Sequence, residues 1–399
     1  MACGSTRVAV NCRTVCRSNS CSSVSGTAPP YQTAVGLGRM MPGVARWLRE
    51  KPAVLVANPT AQSGKAADWI RHARALLDEA GVTHRFVATE PEGATVMRVR
   101  EAIDGDGTRL VIYMGGDGTF AEVAKGILGS DHAGDCAMGM LPTGTANDQG
   151  KSFGLAAGAG ALERNVAVVA AGHTVGCDVG TLVVERGLKE IHRDLFFDSF
   201  SVGIGAASLA TRNRDRERVR RIPGLGAIYR DQLVYAGAIA QRLAESYVVD
   251  TKFDLDAVVD GVVKNYPGLL DVIVKNTKIF GGEWIFDPSS ESDDGRFELV
   301  PVAGRRDFFA KLSGGLRHSP IGPAELEQLG IETEPGLSGS RMELVVRTQT
   351  NALPAAQIDG EEIPAGERYL IEVATRALRL IVPREHVDPS FTDLSGPVR

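Results

Sequence analysis

The stretch YMGGDGTF, residues 113–120, sets glycines, a carboxylate and a hydroxyl directly after an apolar run that reads as a buried strand. Gly115, Gly116, Asp117, Gly118 and Thr119 admit two readings. Backbone amides approach a polyanion closely only where no Cβ intervenes, so the segment reads as a phosphate site. Gly and Asp also favour tight turns for local reasons, and these residues alone leave a plain turn open.

Working outward, RLVIYM (109–114) is a strand feeding the glycines, 119–128 a helix and AMGML (137–141) the next strand. Upstream, AVLVANP (53–59) and HRFVAT (84–89) read as strands, each followed by a helix, over 66–80 and 94–103. In the first of these helices Ile70, Ala73 and Leu77 recur at helical spacing before Gly81 stops it. This β-α alternation predicts a parallel sheet covered on both faces, with ligands at the carboxyl ends of its strands.

After about residue 175 the rhythm becomes strand-rich: DVGTLVV, LFFDSFSVG, LLDVIVKN, RFELVPV, RMELVVRT, YLIEVA and ALRLIVP. Several alternate polar and apolar residues, as half-exposed antiparallel strands do. The fold expected is α/β: a three-layer parallel-sheet nucleotide-binding domain over 50–175, then an antiparallel β-sandwich domain over 176–383. An extension over 1–49 and a tail over 384–399 flank them. A helix over 225–246 carries an apolar stripe that reads as core packing or as a lipid-contacting face.

With 399 residues, 43% hydrophobic and a net charge of −5, the chain is long enough for two globular domains and lacks the basic balance of a nucleic-acid binder. No apolar run of membrane-spanning length is present, since His173 and Asp178 interrupt the best candidate. Cys3, Cys12, Cys16 and Cys21 crowd the N-terminus and leave Cys136 and Cys177 in the patterned chain, too few for a disulfide framework. The body therefore reads as a reduced, cytoplasmic protein. The arginine- and serine-rich segment 1–49 lacks acidic residues and fits an organelle transit peptide, or translation from a start upstream of Met40 or Met41.

Three polar, glycine-containing segments each follow a strand of the first domain: NPTAQSGKA (58–66), GGDGTFAEV (115–123) and LPTGTANDQGKSFGL (141–155). Parallel strands bring their carboxyl ends to one edge, so these loops converge there. Ser63, Thr119, Thr143 and Thr145 offer hydroxyls, and helices starting after Gly118 and Gly144 offer free N–H groups to an anion. Asn147 and Asp148 taken alone read equally well as helix-capping residues.

These segments resemble the diacylglycerol kinase catalytic-domain family, which includes sphingosine kinases and soluble bacterial lipid kinases and shares its fold with NAD kinases. The family patterns Gly-Gly-Asp-Gly-Thr-x-x-Glu-Val and Leu-Pro-x-Gly-Thr-x-Asn-Asp stand here at 115–123 and 141–148, and features of the family continue in FSVGIGAASLA, ESDDGRFELV and QIDGEEI. Lys125 stands where Asn is common, and Gln149, Gly150 and Lys151 replace a small-residue and Arg segment.

The resemblance implies an ATP- and magnesium-dependent transfer of phosphate to a lipid hydroxyl, diacylglycerol-like, in phospholipid biosynthesis. It implies ATP contacts at Asn58, Pro59, Ser63, Gly64, Thr89, Gly115, Gly116, Asp117, Gly118, Thr119, Glu122, Thr145 and Asn147. Asp117 would lie near the phosphates and their Mg2+. Glu361 occupies the proton-acceptor position, with Asp359 beside it as the other candidate base. A second, structural Mg2+ would sit at the turn of Glu291, Asp294 and Arg296, the Arg donating its backbone oxygen. Read without the upstream motifs, DGEE is a solvated hairpin turn.

NAD kinase is the enzyme alternative, and an inactive nucleotide-binding membrane sensor the non-enzyme one. The arginines between 212 and 221 read as a solvated face or as a site for peripheral contact with an anionic membrane.

Overall fold

The protein is described as a computed structural model covering residues 50–61, 64–91, 93–208, 252–281, 284–285, 287–314, 327–328, 334–349 and 352–385. Ser63, the arginine run, the helix expected over 225–246, segment 1–49 and nearly all of the tail lie outside these residues.

The first half follows the alternation. Strands β1 (Ala53–Ala57), β2 (His84–Ala88), β3 (Leu110–Gly115) and β4 (Ala137–Pro142) pair in parallel in the order β2-β1-β3-β4. Helices α1 (Lys65–Glu79) and α2 (Ala94–Asp104) carry the expected stripes, with Ile70, Ala73 and Leu77 buried on α1 and Val99, Ala102 and Ile103 on α2. Helix α3 spans Asp117–Leu128, beginning two residues before its expected start. A one-turn helix α4 (Asp148–Ser152) and helix α5 (Leu162–Ala171) follow. One core gathers α2 and α3 on one face of the sheet, and a second gathers α1 and α5 on the other, giving three layers.

The remaining strands are β5 (Thr174–Arg186), β6 (Lys189–Phe196), β7 (Ser199–Gly203), β8 (Phe253–Val259), β9 (Val262–Leu269), β10 (Asp271–Lys275), β11 (Phe297–Val302), β12 (Leu337–Gly339), β13 (Arg341–Arg347), β14 (Ala356–Ile358), β15 (Glu361–Ile363) and β16 (Arg368–Ile381); helix α6 (Arg305–Gly314) lies between β11 and β12. Apart from β16's link to β4 they pair antiparallel. One sheet of six runs β12-β11-β10-β7-β14-β15, and its inner face shares a core with β5, β8, β13 and β16. The described architecture is thus α/β, a parallel sheet with helices on both faces and an antiparallel sandwich.

The chain does not leave the first sheet for good. Strand β16 pairs with β13 and β5 and then runs parallel to β4 at Leu380, so parallel and antiparallel strands form one continuous sheet of ten. YLIEVA and ALRLIVP, read as separate strands, are one strand with a bulge between Ala374 and Leu378, where Arg376 adopts a φ of 50°. LFFDSFSVG divides the other way, because β6 ends at Phe196 and β7 begins at Ser199. The β8–β9 hairpin was not among the expected strands; Asp254 and Asp256 alternate with buried Phe253, Leu255 and Ala257, and the turn is Asp260-Gly261.

Candidate active site

Strand register brings the candidate loops to one edge. Ala57 pairs with Ala88 and Met114, and Gly115 with Pro142, so the segments beginning at Asn58, Thr89, Gly116 and Thr143 leave the same end of the sheet. Among them, Asn58 accepts hydrogen bonds from the Thr60 amide (2.9 Å) and hydroxyl (2.8 Å), Pro59 is the next residue of that turn, and Gly64 takes a φ of 90° at the start of α1. Thr89 donates its amide to Ala57 (3.0 Å), and Thr145 is exposed.

The two glycine loops are bonded to each other. The Gly115 carbonyl accepts amides from Thr143 (2.7 Å) and Gly144 (3.0 Å), and a Cβ on Gly144 would lie 2.4 Å from the Gly116 Cα. Glycine at both positions therefore permits backbone to touch backbone. A Cβ on Gly115 would fall 2.5 Å from the Thr119 hydroxyl oxygen. Asn147, buried with a φ of 55°, accepts the Gly144 amide and donates to the Gly144 carbonyl, each at 2.8 Å. Its side chain is thereby occupied in shaping the loop.

Helix α3 begins at the glycine turn, with Gly116 before it and no side chain capping its first amides. Such a helix end, flanked by glycines, suits an anionic group. Phe120 anchors it, stacking edge-on against Tyr113 at 5.5 Å and Phe197 at 5.6 Å, pairs worth about 0.5–1.5 kcal/mol each beyond burial.

Four carboxylates bear on this edge. Asp117 accepts the Gln149 amide (3.3 Å); burial and then the Asp198 charge push its carboxyl up, against backbone amides of Gln149, Asn147 and Asp117 itself. Asp148 accepts the Gly281 amide at 2.6 Å and is held well above the carboxylate range by burial and the charges of Asp117 and Asp198. Its Oδ1 is buried with no hydrogen-bond partner. Half-buried Glu122 is also raised, by burial and then by Glu361, with Thr95 and Lys125 opposing. An acidic, orphaned buried oxygen beside a second carboxylate suits a hard divalent cation, which takes oxygen ligands and commonly one or two carboxylates plus phosphate.

The fourth, Glu361, arrives from the far end of the chain. It opens β15 after the turn Asp359-Gly360, whose φ values of 47° and 82° fit the tight hairpin. The turn is a hairpin, as its local sequence suggests, but it is not merely solvated. The exposed Glu361 carboxylate has its Oε1 3.5 Å from where a Gly118 Cβ would stand. Asp359 instead turns inward and accepts the amides of Phe197 (2.9 Å), Asp198 (2.7 Å) and Ser199 (3.1 Å). Burial, followed by the Asp198 charge, lifts its pKa to about 7 against those donors.

The turn expected to hold a structural metal is tied by its own polar groups. The Asp294 carboxylate accepts the Arg296 amide (2.9 Å), the Arg296 guanidinium reaches Ser338, and Glu291 is exposed. Among the described residues no three His, Cys, Asp or Glu side chains converge to hold a metal ion. What anchors the turn is Asp178 on β5, buried, which accepts the amides of Gly295 and of Arg376 in the β16 bulge, both at 2.6 Å.

Residues 52–182 match the family model for the diacylglycerol kinase catalytic domain. A diacylglycerol kinase of Staphylococcus epidermidis is 31% identical over 133 residues, 33% of this chain and 40% of the relative. An Escherichia coli protein named "Probable lipid kinase YegS" is 35% identical over 119 residues, 29% of this chain and 38% of the relative. The chain thus aligns with about two-fifths of the length of these relatives. In fold, the crystal structure of a diacylglycerol kinase from Bacillus anthracis superposes with a TM-score of 0.59 at 16% identity, covering 84% of this chain and 98% of that one.

The matched stretch contains every candidate from Asn58 to Asn147, whereas Asp359, Glu361 and the 291–296 turn lie beyond it. Sequence reading assigned no role to Asp198 and Lys275. Lys275 is 1% exposed and donates to Asp198 at 2.7 Å. The available signal was a lysine ending an otherwise apolar strand, VIVK, which looks like an exposed strand end until its partner is known.

Proposed function

We propose that this chain is an ATP-dependent lipid kinase that transfers the γ-phosphate to the hydroxyl of a diacylglycerol-like lipid, a step of phospholipid biosynthesis. The observation that carries the reading is the Glu361 carboxylate standing beside Gly118 of the glycine turn. Phosphoryl transfer requires charge stabilisation at the phosphates and a group that accepts the hydroxyl proton, and in this reading the glycine turn and Glu361 supply them.

In this reading the nucleotide lies along the sheet edge, between the Asn58–Gly64 loop, Thr89, Thr145 and the uncapped start of α3. Gly116 and Gly118 allow the phosphates to approach backbone amides. Glu361 takes the proton from the lipid hydroxyl. Asp359 holds the turn that carries it, because its oxygens already receive three amides. Mg2+ would be held with the phosphates by Asp117 and Asp148 and would neutralise their charge when bound. The Glu291, Asp294 and Arg296 turn as a second magnesium site, the division at residue 175, and a cytoplasmic enzyme touching anionic membrane through its arginines belong to the same proposal. Among the described residues no helix is long and apolar enough to cross a membrane.

The test is transfer of label from γ-labelled ATP to a panel of diacylglycerol, a sphingoid base, other lipid alcohols and NAD, with and without Mg2+. Label in phosphatidic acid supports the proposal. Label in NAD alone would replace it with the NAD-kinase reading, and ATP binding without transfer to any acceptor would favour a sensor.

A further inference from the structure

Three consecutive amides, those of 197, 198 and 199, converge on Asp359. In an extended strand successive N–H groups point to opposite sides, so this convergence requires the chain to bend out of the strand between β6 and β7. The grip on that bend comes from residues 275–277. Lys275 donates to the Asp198 Oδ1 at 2.7 Å and to the Ile279 carbonyl at 3.0 Å, and its ammonium lies 5.3 Å from the Phe280 ring centre. The Asn276 amide donates to the Asp198 carbonyl at 2.9 Å, and its side chain donates to the carbonyls of Phe197 and Asp178, both at 2.7 Å. The Thr277 hydroxyl donates to the Asp198 Oδ1, and the Ser199 hydroxyl to Oδ2 at 3.0 Å.

Both members of the ion pair are buried, with side chains 1% and 7% exposed. Charge compensation matters at this place because the Asp198 charge bears on Asp359, whose carboxylate the same bend grips. A buried pair is seldom a strong source of stability, yet removing one partner leaves an uncompensated charge.

We propose that Lys275 is a positioning residue for phosphoryl transfer: through Asp198 it holds the 197–199 amides on Asp359 and so sets where the Glu361 carboxylate stands beside Gly118. The relay has two links, Lys275 to Asp198 and Asp198 to Asp359, and reaches the proton acceptor without touching substrate. It rests on the assignment of Glu361 made above.

The experiment compares Lys275→Met, Asp198→Asn and the double variant, in the full chain, by kinase turnover with diacylglycerol and by amide hydrogen exchange of 196–199 and 358–362. Lys275→Met should speed exchange in both segments and cut turnover by about tenfold or more, with the KM for ATP within about twofold, because the nucleotide loops keep their own bonds. The double variant, whose pair is neutral, should exchange more slowly than Lys275→Met and recover about fivefold or more of its lost turnover, the non-additivity of coupled residues. Should Lys275→Met fail to fold, the double variant against Asp198→Asn carries the comparison, and a double variant no better than Asp198→Asn overturns the proposal. Turnover lost with exchange unchanged overturns it, as does faster exchange with turnover intact. If the unmodified protein phosphorylates no lipid, the functional reading fails; exchange in the 358–362 segment that stays unchanged in Lys275→Met then also refutes the relay, and faster exchange there supports it.

Discussion

Glu361 Oε1 lies 3.5 Å from the position a Cβ would take on Gly118, so a carboxylate from a late hairpin stands against the turn that begins α3. At that distance a methyl group makes ordinary van der Waals contact, whereas a branched side chain must displace the carboxylate. Gly118→Ala is therefore expected to keep most activity. Gly118→Val should lower both ATP affinity and turnover by about tenfold or more while leaving the melting temperature close to that of the parent, since the position is exposed. Titration calorimetry with ATP, alongside steady-state kinetics, checks both.

Glu361→Gln preserves size and hydrogen-bonding capacity but removes the accepting charge. Turnover should fall by about 10²-fold or more with ATP affinity nearly unchanged. Asp359→Asn should act mainly on structure, lowering the melting temperature because an amide oxygen accepts the three amides more weakly than a carboxylate. Near-normal turnover in Glu361→Gln together with a loss in Asp359→Asn would exchange the two roles.

Asp117→Ala removes a carboxylate at the start of α3 while leaving Phe120 and the apolar face of the helix in place. Activity should fall below detection, with circular dichroism and melting temperature little altered. A folded variant of full activity would refute the phosphate-site assignment.

Gly144→Ala would set a methyl carbon 2.4 Å from the Gly116 Cα, a clash with backbone that no side-chain rotation relieves. Destabilisation of about 1–3 kcal/mol is expected from overpacking of this kind, measured by urea denaturation. The same change at Gly134, where nothing lies within 4 Å of the added carbon, provides the control.

Asp271 is fully buried at the start of β10, and burial raises its pKa from 3.8 to about 8, against amides donated by Gly205 and Val272. The folded state thus holds a proton that the unfolded state has released. The resulting stabilisation is complete below about pH 4 and declines as pH rises toward 8, by up to about 1.4 kcal/mol per unit. Asp271→Asn should flatten that part of the stability profile and leave the protein more stable than the parent at pH 8. Denaturation midpoints at pH 5, 6.5 and 8 decide it.

Much of the fold was legible locally. The stripe Ile70, Ala73, Leu77 and the apolar runs of β1, β3 and β4 specify a parallel α/β layer, because helical and strand periodicities depend on near neighbours alone. The glycine segments marked a candidate anion site for a similar reason, since absence of a Cβ is a property of each residue. What local pattern could not supply was the break after Phe196. LFFDSFSVG has the composition of one uninterrupted strand, and only contacts from Asn276, Thr277 and Asp359 bend it.

By itself the sequence determined the layered α/β class, the set of loops at one sheet edge, and the residues from which a phosphate site could be built. Tertiary structure alone decided that β16 returns to pair beside β4, that Asp359 faces inward while Glu361 faces Gly118, and that Lys275 is a buried counter-charge. The reason is physical. Periodicity and backbone freedom are encoded within a few residues, but the partner of a charge and the neighbour of a glycine are set by segments far apart in the chain, and their energies exist only once those segments meet.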